Sequence, residues 1–70
     1  MALVASKCRL RELLDKKGIS QIELSLLTGI NTSQLNDYIH NRKKMSLNTA
    51  KTIAHALKVS IDDLYVWTVR

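Results

Sequence analysis

The stretch "LLTGINTSQL", residues 26–35, places a glycine where the helical spacing of apolar side chains would otherwise run on. Gly29 tolerates the positive φ of a tight bend without steric cost. Asn31 and Gln34 then give a loose N-cap signature, and upstream Ser20 and Glu23 give a full one, a hydroxyl and a carboxylate that satisfy each other's exposed N–H groups. Two short helices, Gln21 to Thr28 and Thr32 to His40, are therefore expected to meet at a steep corner, with Ile30 as its plug. That is a helix-turn-helix arrangement. Spacing alone also allows an ordinary helical hairpin in a small bundle.

Outward from this corner the same punctuation recurs. Ser46 and Ser60 are further N-cap candidates, and Asp63 follows Ser60 by three residues. A first helix is expected over Ala5 to Lys17, stopping at Gly18, with Leu10, Leu13 and Leu14 on its apolar face. A fourth is expected over Leu47 to Leu57, carrying Leu47, Ala50, Ile53, Ala54 and Leu57 as its apolar residues, and a fifth after Ser60 with Ile61, Leu64 and Tyr65. In the second helix Ile22, Leu24, Leu26 and Leu27 are apolar; in the third, Leu35, Tyr38 and Ile39. Strand-like alternation is absent until the last few residues, and there is no proline, repeat or low-complexity segment. The expected fold class is all-α, a compact bundle of five short helices held together by mutual burial, since helices of two or three turns are not stable alone.

Seventy residues make a single domain, 1–70, with the motif at about 20–40 and residues 60–70 as a candidate dimerisation segment. The core of so short a chain is small. The lone Cys8 excludes an internal disulfide, fits a reducing cytosol, and reads as a packing residue. The run Ala2 to Ala5 is too short for a signal-peptide core or a membrane span. Eleven Lys and Arg against six Asp and Glu leave a formal charge of +5, which favours a polyanionic partner. His40 and His55 have no ligand or nucleophile at useful spacing. With no nucleophile–base pair, metal set or phosphate-cradling glycine loop, neither an enzyme nor a cofactor is expected.

At this point "GISQIELSLLTGINTSQLNDYIHNRKKMS", residues 18–46, resembles the helix-turn-helix of the phage repressor and Cro-like (XRE-like) family of transcriptional regulators. The features that carry the likeness are Gln21, the small Ser25 four positions on, Gly29 four beyond that, and Leu35. Downstream "TIAHALKVSIDDL" resembles the family's last two helices, and the resemblance covers about residues 7–66. It implies a repressor-like DNA-binding bundle. Departures are Ser25 for the commoner alanine, whose hydroxyl is expected to bond back to a carbonyl one turn earlier. Asn41 stands for a glycine after the third helix and suits a left-handed cap. Ser46 caps in place of a nearby proline, and Leu14 and Ile39 are apolar where some relatives carry an ion pair.

In such motifs the second helix enters the major groove and its first residues meet base edges. Thr32, Ser33, Asn36 and Asp37 are the candidates here: hydroxyls for any edge or a thymine methyl, Asn36 for adenine, Asp37 for a cytosine amino group. An aspartate among phosphates needs either that cytosine or a nearby Lys or Arg. Gln21 and Asn31, at helix N-termini, and Arg42, Lys43 and Lys44, just past the recognition helix, are the candidate phosphate contacts. The closing "DLYVWTVR" is too apolar for a solvated tail. Leu64, Tyr65, Trp67 and Val69 either cap the core or form a homodimer interface, with Val66 to Val69 readable as an extended segment. The expected function is a dimeric repressor on a palindromic operator of double-stranded DNA, in bacterial cytosol or nucleoid or in host cytosol for a phage protein. The alternative is an antitoxin or anti-repressor module that grips a regulatory protein partner.

Overall fold

The computed structural model describes residues 2–70. Strand β1 spans Leu3–Cys8, followed by α1 (Leu10–Lys17), α2 (Gln21–Thr28), α3 (Thr32–Ile39) and α4 (Leu47–Leu57). A single 3-10 turn, Ile61–Leu64, leads into strand β2 (Tyr65–Val69). The strands pair antiparallel as a two-stranded ribbon. The expected all-α bundle of five helices is therefore corrected to four α-helices plus a β-ribbon.

Two errors of element type account for the correction, and each has a local cause. The first helix begins at Leu10, not Ala5, because residues 3–8 are extended. Their alternation is hidden by a bulge: the register runs Leu3 to Val69, Val4 to Thr68 and Ala5 to Trp67, then skips Ser6 to pair Lys7 with Val66 and Cys8 with Tyr65. The extra residue reverses the parity of the strand, so Leu3, Ala5 and Cys8 share one face although their spacing is uneven. Ser6 uses its exposed hydroxyl to donate to Val66 O at 3.0 Å. The expected fifth helix closes one turn only. Asp63 Oδ2 accepts the N–H and the hydroxyl of Ser60, both at 3.2 Å. Tyr65 then turns to φ −135°, ψ 154°, as suits an aromatic and β-branched run with a partner strand beside it.

The other helices form as their caps dictate. Ser20 and Glu23 make the reciprocal box, Oγ accepting Glu23 N–H at 3.1 Å and Oε1 accepting Ser20 N–H at 3.3 Å. Ser46 Oγ accepts Thr49 N–H at 3.2 Å to start α4. The core is one cluster of Leu10, Leu13, Leu14, Leu24, Leu35, Tyr38, Ala50, Ile53, Ala54, Leu57 and Leu64, joined by Cys8 and Tyr65 from the ribbon; Leu14 is buried and Ile39 packs against the same cluster. Burial pushes the Cys8 thiol above its ordinary pKa, which makes it less reactive. Of the four apolar residues in α2 only Leu24 is buried; Ile22, Leu26 and Leu27 are exposed.

The α2–α3 corner is a hydrogen-bonded turn. Gly29 adopts φ 75°, ψ 9°, and its N–H donates to Ser25 O at 2.8 Å. The Ser25 hydroxyl donates forward across the turn to Ile30 O, not back one turn as expected. Thr28 Oγ1 donates to Leu24 O at 2.8 Å and accepts Ile30 N–H at 3.2 Å. A Cβ at residue 29 would meet nothing within 4 Å, so only its left-handed backbone opposes substitution. Gly29→Ala is expected to cost about 1–2 kcal/mol and to lower the melting temperature by roughly 5–10 °C. Gly29→Asn, which tolerates this conformation better, is expected to recover part of that loss in the same thermal scan.

Candidate nucleic-acid interface

Helix α3 is presented by its own N-terminus. Asn31 holds φ −60°, ψ 140°, and its Oδ1 accepts Ser33 N–H at 2.7 Å. Leu35 and Tyr38 root the helix at 0% and 5% exposure, while Asn31, Thr32, Ser33 and Gln34 are exposed and Asn36 and Asp37 half-buried. The four candidate base-reading residues therefore lie on the side away from the root. Gln34, exposed among them, was read from the sequence only as part of a cap. The Asn36 carboxamide makes no hydrogen bond among the described residues, while its carbonyl receives His40 N–H at 3.0 Å and lies 2.9 Å from His40 Nδ1.

Asp37 is partnered by Arg42, whose Nε lies 3.0 Å from Asp37 Oδ1. The N–H of Arg42 also donates to Asp37 O at 2.8 Å. Of the two explanations for an aspartate on this helix, the structure supplies the basic neighbour. Lys43 and Lys44 are exposed and, among the described residues, join no ion pair. Asn41 takes φ 59°, the left-handed conformation expected of it.

The start of α2 is half-buried at Gln21. Its capping box occupies the N–H groups of Ser20 and Glu23, while those of Gln21 and Ile22 stand at the positive end of the helix dipole. Asn31 similarly spends its oxygen on the cap and keeps its amide N–H groups to donate.

The candidate dimerisation residues divide. Leu64 and Tyr65, at 0% and 7% exposure, belong to the chain's own core, whereas Trp67 and Val69, at 40% and 61%, remain open. Trp67 stacks edge-on to Tyr65 with ring centroids 6.2 Å apart, and its indole N–H donates to Asp62 O at 3.1 Å. Tyr65 has a polar use that sequence reasoning missed: its hydroxyl oxygen accepts the N–H of Met45 at 3.0 Å. Asn41 likewise accepts the N–H of Cys8 at 2.8 Å. No local pattern could have revealed these bonds, because the partners are 20 and 33 residues apart. Burial raises the Tyr65 pKa, with the Met45 bond acting against it, so the phenol stays protonated at neutral pH.

Among the described residues, no helix is long and apolar enough to cross a membrane, and no group of three or more His, Cys, Asp or Glu is placed to hold a metal.

The model of the Cro/C1-type HTH DNA-binding domain matches residues 9–69. The chain is 47% identical over 64 residues to the SPbeta prophage-derived uncharacterized HTH-type transcriptional regulator YopS of Bacillus subtilis, covering 90% of this chain and 86% of the relative. It is 38% identical over 63 residues to YotL, a second regulator of that description from the same prophage and organism, covering 89% and 79%. Among solved structures it resembles the restriction-modification controller protein C.AhdI of Aeromonas hydrophila, with a TM-score of 0.76 and 33% identity over 81% of this chain and 86% of that one.

Proposed function

The chain belongs to the Cro/C1-type helix-turn-helix family of DNA-binding transcriptional regulators, which are not enzymes, and on that premise we propose that it acts as a dimeric repressor reading a palindromic operator through the N-terminal half of α3. The observation that carries this reading is the exposed, capped first turn of α3, Thr32 and Ser33, on a helix rooted by Leu35. Thr32, Ser33 and Asn36 supply base readout, with Asp37 beside them, its charge balanced by Arg42. Gln21, Asn31, Arg42, Lys43 and Lys44 hold the flanking phosphates and set the register. Trp67 and Val69, on the same face of the ribbon as Tyr65 but exposed, are the parts of the closing segment left to meet a second copy, which would space two recognition helices about one DNA turn apart. The reading places the protein in the cytosol.

Selection of sites from random duplex DNA, followed by binding of the recovered site across salt concentrations, tests this. A two-fold symmetric site is expected, and Arg42, Lys43 and Lys44 repeated in two protomers predict a log–log salt slope of about −5 to −6. No enriched site, together with an affinity indifferent to salt, would refute the reading. The exposed apolar side chains of Ile22 and Leu26 on α2 favour a second reading, a module that grips a regulatory protein. A stable heterocomplex that forms in place of DNA binding would establish it.

A further inference from the structure

The loop bearing the basic triplet is held at both ends by the ribbon. At its start, Asn41 Oδ1 accepts the N–H of Cys8, the last residue of β1, at 2.8 Å. At its end, the N–H of Met45 donates to the hydroxyl of Tyr65, the first residue of β2, at 3.0 Å. Arg42, Lys43 and Lys44 are strung between these two anchors. Between the anchors the loop is also tied to the end of α3, where the N–H groups of Arg42 and Lys43 donate to Asp37 O at 2.8 and 3.4 Å and Arg42 Nε lies 3.0 Å from Asp37 Oδ1. Residues 41–44 are exposed, and an open hollow of about 230 Å³, lined by Ala5, Lys44, Met45, Leu47, Tyr65 and Trp67, separates the loop from the ribbon.

Both anchoring side chains carry more chemistry than folding requires. The left-handed backbone at Asn41, φ 59°, is met as well by glycine, which has no acceptor for Cys8. The core position of Tyr65 is met as well by phenylalanine, which has no oxygen for Met45. We propose that Asn41 and Tyr65 are positioning residues for DNA-backbone binding, the ribbon using their two hydrogen bonds to set where Lys43 and Lys44 stand beside the recognition helix. The inference rests on the reading that these lysines meet phosphate. A loop fastened before DNA arrives does not have to be ordered on binding, so more of each lysine's attraction to phosphate appears as affinity.

The test compares full-length Tyr65→Phe, Asn41→Gly and Lys43→Ala/Lys44→Ala with the parent, binding a random-sequence duplex over a range of salt. Far-UV circular dichroism and urea unfolding serve as checks on folding. Each anchor variant is expected to fold and to lose about one unit of salt slope. Raising salt from about 50 to 200 mM then costs it roughly fourfold less affinity than it costs the parent. The lysine variant, missing two lysines in each of two protomers, is expected to lose about three to four units. Anchor variants with the parent's slope, or with binding weakened equally at every salt concentration, overturn the positioning role while the lysine result keeps the phosphate reading standing. A lysine variant with the parent's slope removes the phosphate reading, and the positioning role with it. Should Asn41→Gly fail to fold, Tyr65→Phe, which exchanges only a hydroxyl for a hydrogen, decides alone.

Discussion

Leu35→Ala is expected to leave much of the protein unfolded at 37 °C. Leu35 is fully buried at the junction of α3 with the rest of the core. Removing a buried leucine side chain costs about 2–5 kcal/mol, through lost transfer energy and the cavity left behind. A core of this size supplies a net stability of only ~3–5 kcal/mol, so the two magnitudes are comparable. An eight-residue helix such as α3 has no stability of its own to fall back on. Urea unfolding followed by circular dichroism reads the loss directly. Leu26→Ala is the matched control: at 80% exposure its removal is expected to stay within about 0.5 kcal/mol. Equal losses at the two positions would contradict the placement of the core.

Asn36→Ala is expected to abolish recognition of the operator while leaving the fold and random-sequence binding intact. Its carboxamide is half-buried beside the exposed first turn of α3 and unspent on the protein. A good two-bond contact to a base is worth about 1–3 kcal/mol of discrimination. A two-fold complex makes the contact once in each half-site, so the loss doubles to about 2–6 kcal/mol. That is an affinity ratio of roughly 30-fold to more than 10⁴-fold. Competition binding with the selected site and a scrambled duplex measures it. An Asn36→Ala protein that keeps the parent's preference for the selected site over the scrambled one would remove Asn36 from the reading residues. Its carbonyl bonds to His40 are made by the main chain and survive the substitution.

The helix-turn-helix was legible because its signals are local. The box at Ser20 and Glu23, the left-handed Gly29 and the cap at Asn31 each act within four residues. They fixed the limits of α2 at Gln21–Thr28 and the start of α3 at Thr32, and Ser46 did the same for α4 at Leu47. The positions of the candidate reading residues on the exposed side of α3 followed from the same helical spacing. Apolarity alone misled for α2, where four apolar residues compete for a contact surface that one short helix can fill with Leu24 only.

What the sequence by itself determined was where α2, α3 and α4 start, where the chain turns between α2 and α3, and which side of α3 carries its apolar root. What only the tertiary structure decided was the ribbon. Its strands lie at opposite ends of the chain, its bulge at Ser6 scrambles the period of β1, and its pairing assigns Tyr65 inward and leaves Trp67 and Val69 open. The reason is range. A cap or a glycine turn is satisfied by neighbours a few bonds away, so its residues announce it. A strand is satisfied by backbone some sixty residues distant, as in the bond from Ser6 to Val66, and is specified only once the helices between have brought the two ends together.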